Sequence, residues 1–380
     1  MISRLDYKFS GSDFIHSMVG MFKEVSKEEV SNVFSVRSVF FTNHARTSLR
    51  IALSALNLPK DSYIGVQVSN CITVFEAIKS AGYQPLFIDI DDSFILDVND
   101  LTRKKNNMGA LIVTHLFGIP QPLKEIRKLV GDIPIVEDCA HSFLSKFDDK
   151  NLTGTFGDIS VFSIGMGKFP SVGDGGFLFV NNQDYLNRVL SYYNELRRPG
   201  FILELKSIVI KSVLYFLSLP LVYKLFTLPF LKSADKKIDF RRQYVLKEST
   251  PLKNNVYQFN KKLISVNSLL REQKSNAQIF IENFSKSKVV ICDFPSGWNA
   301  FMLPVLTDRQ DFVIREFRNR GIEVGKHFAS CIDWAIQFGY SKGDCMNAET
   351  ITQRIVTIPT YGNLKKSQVK KIEDSIKQIL

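Results

Sequence analysis

Residues 158–181 read DISVFSIGMGKFPSVGDGGFLFVN. Two apolar runs rich in β-branched and aromatic residues flank a loop of small residues that carries a single lysine, Lys168. Runs of this length next to glycine predict strands, at 158–164 and 175–181. Upstream the same signature recurs in YIGVQV (63–68), PLFIDI (85–90), ALIVTHLF (110–117) and PIVEDCA (134–140). Between these runs, residues 45–56, 71–82, 122–130 and 184–196 carry apolar side chains at helical spacing. Strand and helix in alternation imply an α/β fold, with a mostly parallel central sheet sandwiched by helices.

After about residue 200 the rhythm changes. An apolar, basic insertion over 201–248 precedes a long helix predicted over 261–284, and strand and helix signals then resume to Leu380. The expected organisation is a large α/β domain (1–200), the insertion (201–248), a connecting helix with a dimer-contact segment (249–287) and a smaller α+β C-terminal domain (288–380). At 380 residues with 45% apolar and 23% charged residues, the chain can bury a large core in two packed lobes.

The net charge is +11, from 49 basic and 38 acidic residues. Between Arg197 and Lys247 eleven Lys and Arg face only Glu204, Asp235 and Asp239, so much of the asymmetry is local. Aliphatic runs interrupt these charges and no helix-turn-helix or RNP-like pattern accompanies them, which argues against nucleic acid and for anionic lipid or a diphosphate substrate. The five cysteines form no C-x-x-C pair, and no basic-then-apolar leader follows Met1, so a cytoplasmic location is expected. Cys139 and His141 lack a second ligand pair at suitable spacing, and no metal is expected.

In open α/β sheets, ligands gather at the carboxyl ends of the strands. Asp138 ends one predicted strand, His141 follows it by three residues, Ser163 closes another and Lys168 lies five residues beyond. A carboxylate, an imidazole, a hydroxyl and a lysine meeting at one sheet edge could hold pyridoxal phosphate. VEDCAHSF (136–143), GTFGDISVFSIGMGK (154–168) and GDGG (173–176), in that order and at those separations, resemble the DegT/StrS nucleotide-sugar aminotransferases, fold-type-I pyridoxal-phosphate enzymes. The resemblance covers about 40–196 and 255–380 and leaves the insertion outside.

The resemblance implies a role for each matching position. Lys168 would carry the cofactor and then move the proton between substrate and cofactor. Asp138 would keep the pyridine nitrogen protonated, His141 would bond the phenolic oxygen, and Ser163 the phosphate. Arg46, Thr47 and Ser48 fall at a helix start suited to an anion, although Ala45 replaces the family's glycine. Cys71 stands where an aromatic residue often covers the ring, and Asp174 replaces a common glutamate. Asn260, in YQFN (257–260), matches an asparagine that reaches the phosphate of the neighbouring subunit, which implies a homodimer with shared sites. His327, in RGIEVGKHF (320–328), would border the substrate. The implied reaction moves an amino group from L-glutamate to a keto-sugar on a nucleoside diphosphate, for surface polysaccharide or lipopolysaccharide. The same fold acting on another or lipid-linked carbonyl, or serving as a scaffold without catalysis, are the alternatives.

The insertion departs from the family. LKSIVIKSVLYFLSLPLVYKLFTLPFLK (205–232) is apolar around most of its circumference, yet its longest uncharged run, Ser212–Tyr223, is too short to span a bilayer, and Pro220 and Pro229 interrupt it. Two short helices lying on an anionic membrane, at the inner face of the cell membrane, fit this pattern. A dimer interface or a lid over the pocket is the other reading.

Overall fold

Seven buried strands form one sheet: β1 (Val39–Thr42), β2 (Tyr63–Gln67), β3 (Gln84–Ile88), β4 (Ala110–Thr114), β5 (Ile135–Asp138), β6 (Ile159–Ser163) and β7 (Gly176–Val180). The computed structural model describes residues 2–6, 9–218, 222, 247–284 and 289–380. Their order across the sheet is β1-β7-β6-β5-β4-β2-β3. Strands β2 to β6 run parallel, and β7 is antiparallel to both β6 and β1. Helices cover both faces, which is why the central strands read as continuous apolar runs and not as alternating ones. The chain passes from β2 outward to β3, then returns to place β4 on the other side of β2. The carboxyl ends of β2 and β4 therefore border a crevice at the point where strand order reverses.

Strand β1 has no counterpart in the sequence prediction, because VFFT is only four residues long and polar neighbours flank it. It nevertheless pairs with β7 along its whole length, Val39 opposite Phe179 and Thr42 opposite Gly176. Phe41, Phe162, Phe177 and Phe179 pack with Phe34, Phe143 and Phe259 into an aromatic cluster under this edge. The predicted run 110–117 ends early, at Thr114, because Phe117 and Gly118 take positive φ values (55° and 83°) that break the pleat.

Beyond the large sheet, β8 (Leu303–Leu306) and β9 (Ile355–Ile358) pair antiparallel, flanked by helices Gln310–Asn319, Met346–Arg354 and Lys366–Ile379. Their apolar residues join the cluster that fills one face of the main sheet. The long helix expected over 261–284 is instead two helices, Lys253–Leu263 and Val266–Ile281. At the junction Ile264 and Ser265 return their amides to Lys261 and Lys262, tightening the last turn, and Ser265 O starts the next helix by accepting from Ser268 and Leu269. The break lets the first helix pack on helix Gly11–Gly20 and the second on the C-terminal helix. Within the predicted insertion a helix spans Phe201–Ser218. The rest of the expected 205–232 element, apart from residue 222, lies outside the described residues. Among the described residues, no helix is long and apolar enough to cross a membrane.

Candidate active site

The loop after β6 doubles back on itself: Val172 N–H donates to Ile164 O (2.9 Å), Ser171 Oγ donates to Gly165 O (2.9 Å), and Lys168 N–H donates to Gly165 O (3.1 Å). This turn carries Lys168 toward the end of β5. Burial lowers the pKa of the Lys168 amine, while the Cys71 and Asp138 side chains nearby pull it the other way. Burial in turn raises the Asp138 carboxyl, and Lys168 and His115 oppose that shift. A half-buried lysine beside a buried carboxylate tends to share its proton, which leaves the amine available as a nucleophile. Asp138 accepts from Ala140 N–H (3.0 Å) and, more distantly, Thr114 Oγ (3.4 Å). Thr114 Oγ accepts from Asn70 Nδ2 at 2.8 Å, so the ends of β2, β4 and β5 are tied into one chain of bonds.

His141 is buried against Phe301 and Phe328, stacked at centroid distances of 4.7 and 5.8 Å, with His327 edge-on at 5.7 Å. Its Nδ1 accepts the Phe117 N–H at 3.3 Å, which assigns the proton to Nε2. Burial drives its pKa well down, helped by the neighbouring Lys168 and His327. His327 is held down to about 3, first by burial and then by Arg4 and Lys168. Both rings are neutral at physiological pH. Asp138, Cys71, His141 and His327 are thus each coupled to Lys168, which stands at the middle of one centre.

The other predicted residues surround this centre less closely or are occupied. Ser163, at the end of β6, accepts Gly165 N–H at 3.4 Å. Thr47 and Ser48 are fully buried; their hydroxyls bond Asn43 Oδ1 (2.9 Å) and Thr42 Oγ1 (2.7 Å), and both amides return to His44 O. Arg46 pairs with Glu76 at 3.3 Å. A Cβ on Gly176 would collide with the Ala45 backbone, so glycine there is what lets β7 approach the start of this helix. Asp174 pairs with His44 at 2.7 Å. Cys71 precedes helix Ile72–Ser80 and accepts from Thr73 Oγ1 at 3.2 Å. Asn260 does not face the centre within its own chain: its Nδ2 donates to Ser26 O (3.1 Å) and Glu29 Oε2 (2.9 Å).

Sequence reading missed a second wall. A 60 Å³ cavity beside Lys168 is lined in part by Arg4, Lys262, Gln273, Phe301 and Tyr361. No local motif marks Arg4, which arrives from the amino-terminal segment as Ile2 bridges to Ile322. Also missed was Glu137, whose oxygens accept from Gly154 (2.8 Å), Phe156 (2.9 Å), Gly157 (2.6 Å) and His115 Nε2 (3.1 Å). Cys139 lies near Glu137 and His115, and not paired with His141. The oxygens of Glu137 are filled by these donors, and the His115 Nδ1 accepts from Gln121 N–H (3.0 Å), which reads as a structural hydrogen-bond cluster.

The DegT/DnrJ/EryC1/StrS aminotransferase family matches residues 15–202 and 259–377. The GDP-perosamine synthase of Escherichia coli O157:H7 is 32% identical over 154 residues, 40% of this chain and 42% of that protein. The chain therefore spans less than half the length of that relative. The sugar aminotransferase CalS13 from Micromonospora echinospora superposes with a TM-score of 0.77 at 17% identity, covering all of both chains. The putative sugar aminotransferase Spr1654 from Streptococcus pneumoniae in its PLP form gives 0.77 at 15% identity, over 100% of this chain and 97% of that one. At such identities the two structures speak for the fold. The fold, the loop lysine beside the buried carboxylate that ends β5, and a family match over most of its length agree: this chain belongs to the DegT/DnrJ/EryC1/StrS aminotransferase family.

Proposed function

We propose that the protein is a pyridoxal-phosphate-dependent aminotransferase that moves an amino group from L-glutamate to a keto-sugar carried on a nucleoside diphosphate, for a surface polysaccharide or lipopolysaccharide. One observation carries this reading: Lys168, its amine depressed by burial, lies within electrostatic reach of the buried carboxylate of Asp138.

The donor set fits the cofactor. Asp138 accepts one short hydrogen bond and one long one, so its carboxylate has capacity left for a protonated ring nitrogen. His141 has Nε2–H free of the Phe117 contact and suited to an oxygen acceptor. Ser163 offers a hydroxyl hydrogen, and the first amides of helix Ala45–Leu56 offer the positive end of a helix dipole to a phosphate. When bound, pyridoxal phosphate supplies a carbonyl for amine exchange and a ring that withdraws electrons. Lys168 takes up and delivers the proton at its Nζ. Asp138 holds a proton at the ring nitrogen. The aromatic walls Phe301 and Phe328 keep water from His141 and hold the ring flat against its neighbours.

We further place the enzyme in the cytoplasm, at the inner face of the membrane, as a homodimer of the domain division given by the sequence. For a shared phosphate site, Asn260 would exchange its bonds to Ser26 and Glu29 for a phosphate oxygen. The test is spectroscopic. The purified protein with cofactor should absorb near about 410–430 nm, lose that band on adding glutamate, and lack it in Lys168→Ala. Keto-sugar nucleotides supplied with glutamate should then give a product with the mass gain of an amine. A protein that binds no cofactor under these conditions, or whose Lys168→Ala variant keeps the band, defeats the reading.

A further inference from the structure

Helix Phe201–Ser218 is built inside out. Its inward face carries Glu204 and Lys211, both buried, with Ser207, Ile208 and Ser212 between them. Its outward face carries Ile202, Leu205, Val209, Val213 and Phe216, all exposed, and one charge, Lys206. The two inward charges are fully used. Glu204 accepts the Lys253 N–H (2.6 Å), the Asn254 N–H (3.2 Å) and Asn254 Nδ2, filling the open amides at the start of helix Lys253–Leu263. Lys211 donates to Asn254 Oδ1 (3.1 Å), Asn255 Oδ1 (2.5 Å) and Gln258 Oε1 (3.1 Å). The orientation is thus fixed by buried bonds, and the apolar face is turned outward by construction.

A second helix extends the same surface. Gly11–Gly20 packs on the same helix Lys253–Leu263, and the segment from it exposes Phe14, Ile15, Met18, Val19 and Phe22. The Phe22 and Phe201 rings lie 6.1 Å apart, joining the two faces. Isolated exposed apolar residues are ordinary, but a continuous surface spanning two helices marks an interaction site.

We propose that this surface lies on a bilayer containing anionic phospholipid, with the two helices parallel to the membrane plane. Charge complementarity selects this occupant. Lys23 and Lys206 are exposed beside these apolar side chains, and Arg197 and Arg198 are exposed just before the second helix, four cations against the exposed Glu24 and Glu195. Apolar side chains at the acyl boundary and basic ones at the headgroups are the pattern of an interfacial helix. Helix Phe201–Ser218 also lies almost wholly outside the residues the family model matches, 15–202 and 259–377. This deepens the placement at the inner membrane face and rests on it alone, not on the reaction.

The experiment is flotation of the full chain with cofactor on vesicles of phosphatidylcholine alone or with phosphatidylglycerol. Wild type should float with the phosphatidylglycerol vesicles and stay behind with phosphatidylcholine. Val209→Asp/Val213→Asp and Lys206→Glu should each lower recovery by about tenfold or more while the cofactor absorbance stays unchanged, since these side chains are exposed. Failure of wild type to float, or equal flotation of the variants, overturns the proposal. So does a fall in oligomeric mass of Val209→Asp/Val213→Asp without vesicles, which would assign the face to a second copy. Because cofactor absorbance is read on the same samples, failure of docking and failure of the enzyme reading are told apart.

Discussion

Lys211 offers a quantitative test of how the helix Phe201–Ser218 is held. The side chain is 6% exposed, and burial depresses its pKa to about 7. The carboxylates of Asp174, Asp13 and Glu204 raise it and Lys262 lowers it further, while the ring of Phe9 lies 5.9 Å from its amine. In the unfolded chain a lysine titrates near about 10.4. Between these two values the unfolded state binds the proton and the folded state does not, so stability rises with pH from about 7 to about 10 and is lost as pH falls back toward 7. Integrating that difference from pH 7 to pH 9 gives about 2 kcal/mol from this one residue. The perturbation is Lys211→Met, which keeps the length of the chain and removes the titration. The assay is urea unfolding of both proteins at pH 7, 8 and 9, with the difference between them isolating Lys211 from all other groups. Wild type should gain about 2 kcal/mol on the variant across this range. Parallel pH dependences would refute the reasoning, because they would mean that the amine reaches water in the folded protein.

Asp138→Asn preserves shape and removes the charge. It should weaken cofactor uptake and, at saturating cofactor, lower kcat by about 100-fold or more, measured as the rate of the glutamate half-reaction; an unchanged rate would remove Asp138 from the chemistry. Phe162→Ala empties the centre of the cluster in which its ring stacks on Phe177 at 4.8 Å and meets Phe34 at 5.1 Å. It should cost about 3–5 kcal/mol in urea unfolding, and a loss under about 1 kcal/mol would show that the cluster closes over the gap.

Much of this molecule can be read from local pattern. Parallel strands buried on both faces announce themselves as uninterrupted apolar runs, so β2 to β6 and the antiparallel β7 are visible in the sequence. The neighbouring pair Lys168 and Asp138 can be picked out as candidates too, because strand ends are where an α/β sheet gathers ligands. What escapes is non-local. Strand β1 is too short to carry a pattern, and its identity rests on pairing with β7, more than 130 residues away. Arg4 reaches the Lys168 cavity through a bridge between Ile2 and Ile322 that no spacing rule encodes. The break at Ile264–Ser265 contains neither proline nor glycine; two different packing partners impose it. The apolar insertion is evident in the sequence, but its buried Glu204 and Lys211 look like ordinary surface charges until helix Lys253–Leu263 supplies their partners.

Strand β5 ends on two carboxylates that point to opposite faces of the sheet, and their division of labour sets a limit on how this gene can change. Glu137 gathers the loop amides of Gly154, Phe156 and Gly157, while Asp138 faces Lys168. Because successive strand residues alternate sides, deleting one residue between β4 and the end of β5, with the strand slipping to compensate, would put Asp138 in the place of Glu137 and Cys139 in the place of Asp138. The shorter Asp138 would then be asked to hold three amides that need the reach of a glutamate, and the Cys139 thiol would face the lysine in place of a carboxylate. Insertions and deletions should therefore accumulate in this family outside the stretch from Ile135 to Asp138, and a chain that carries one inside it should lose its fold and its chemistry together.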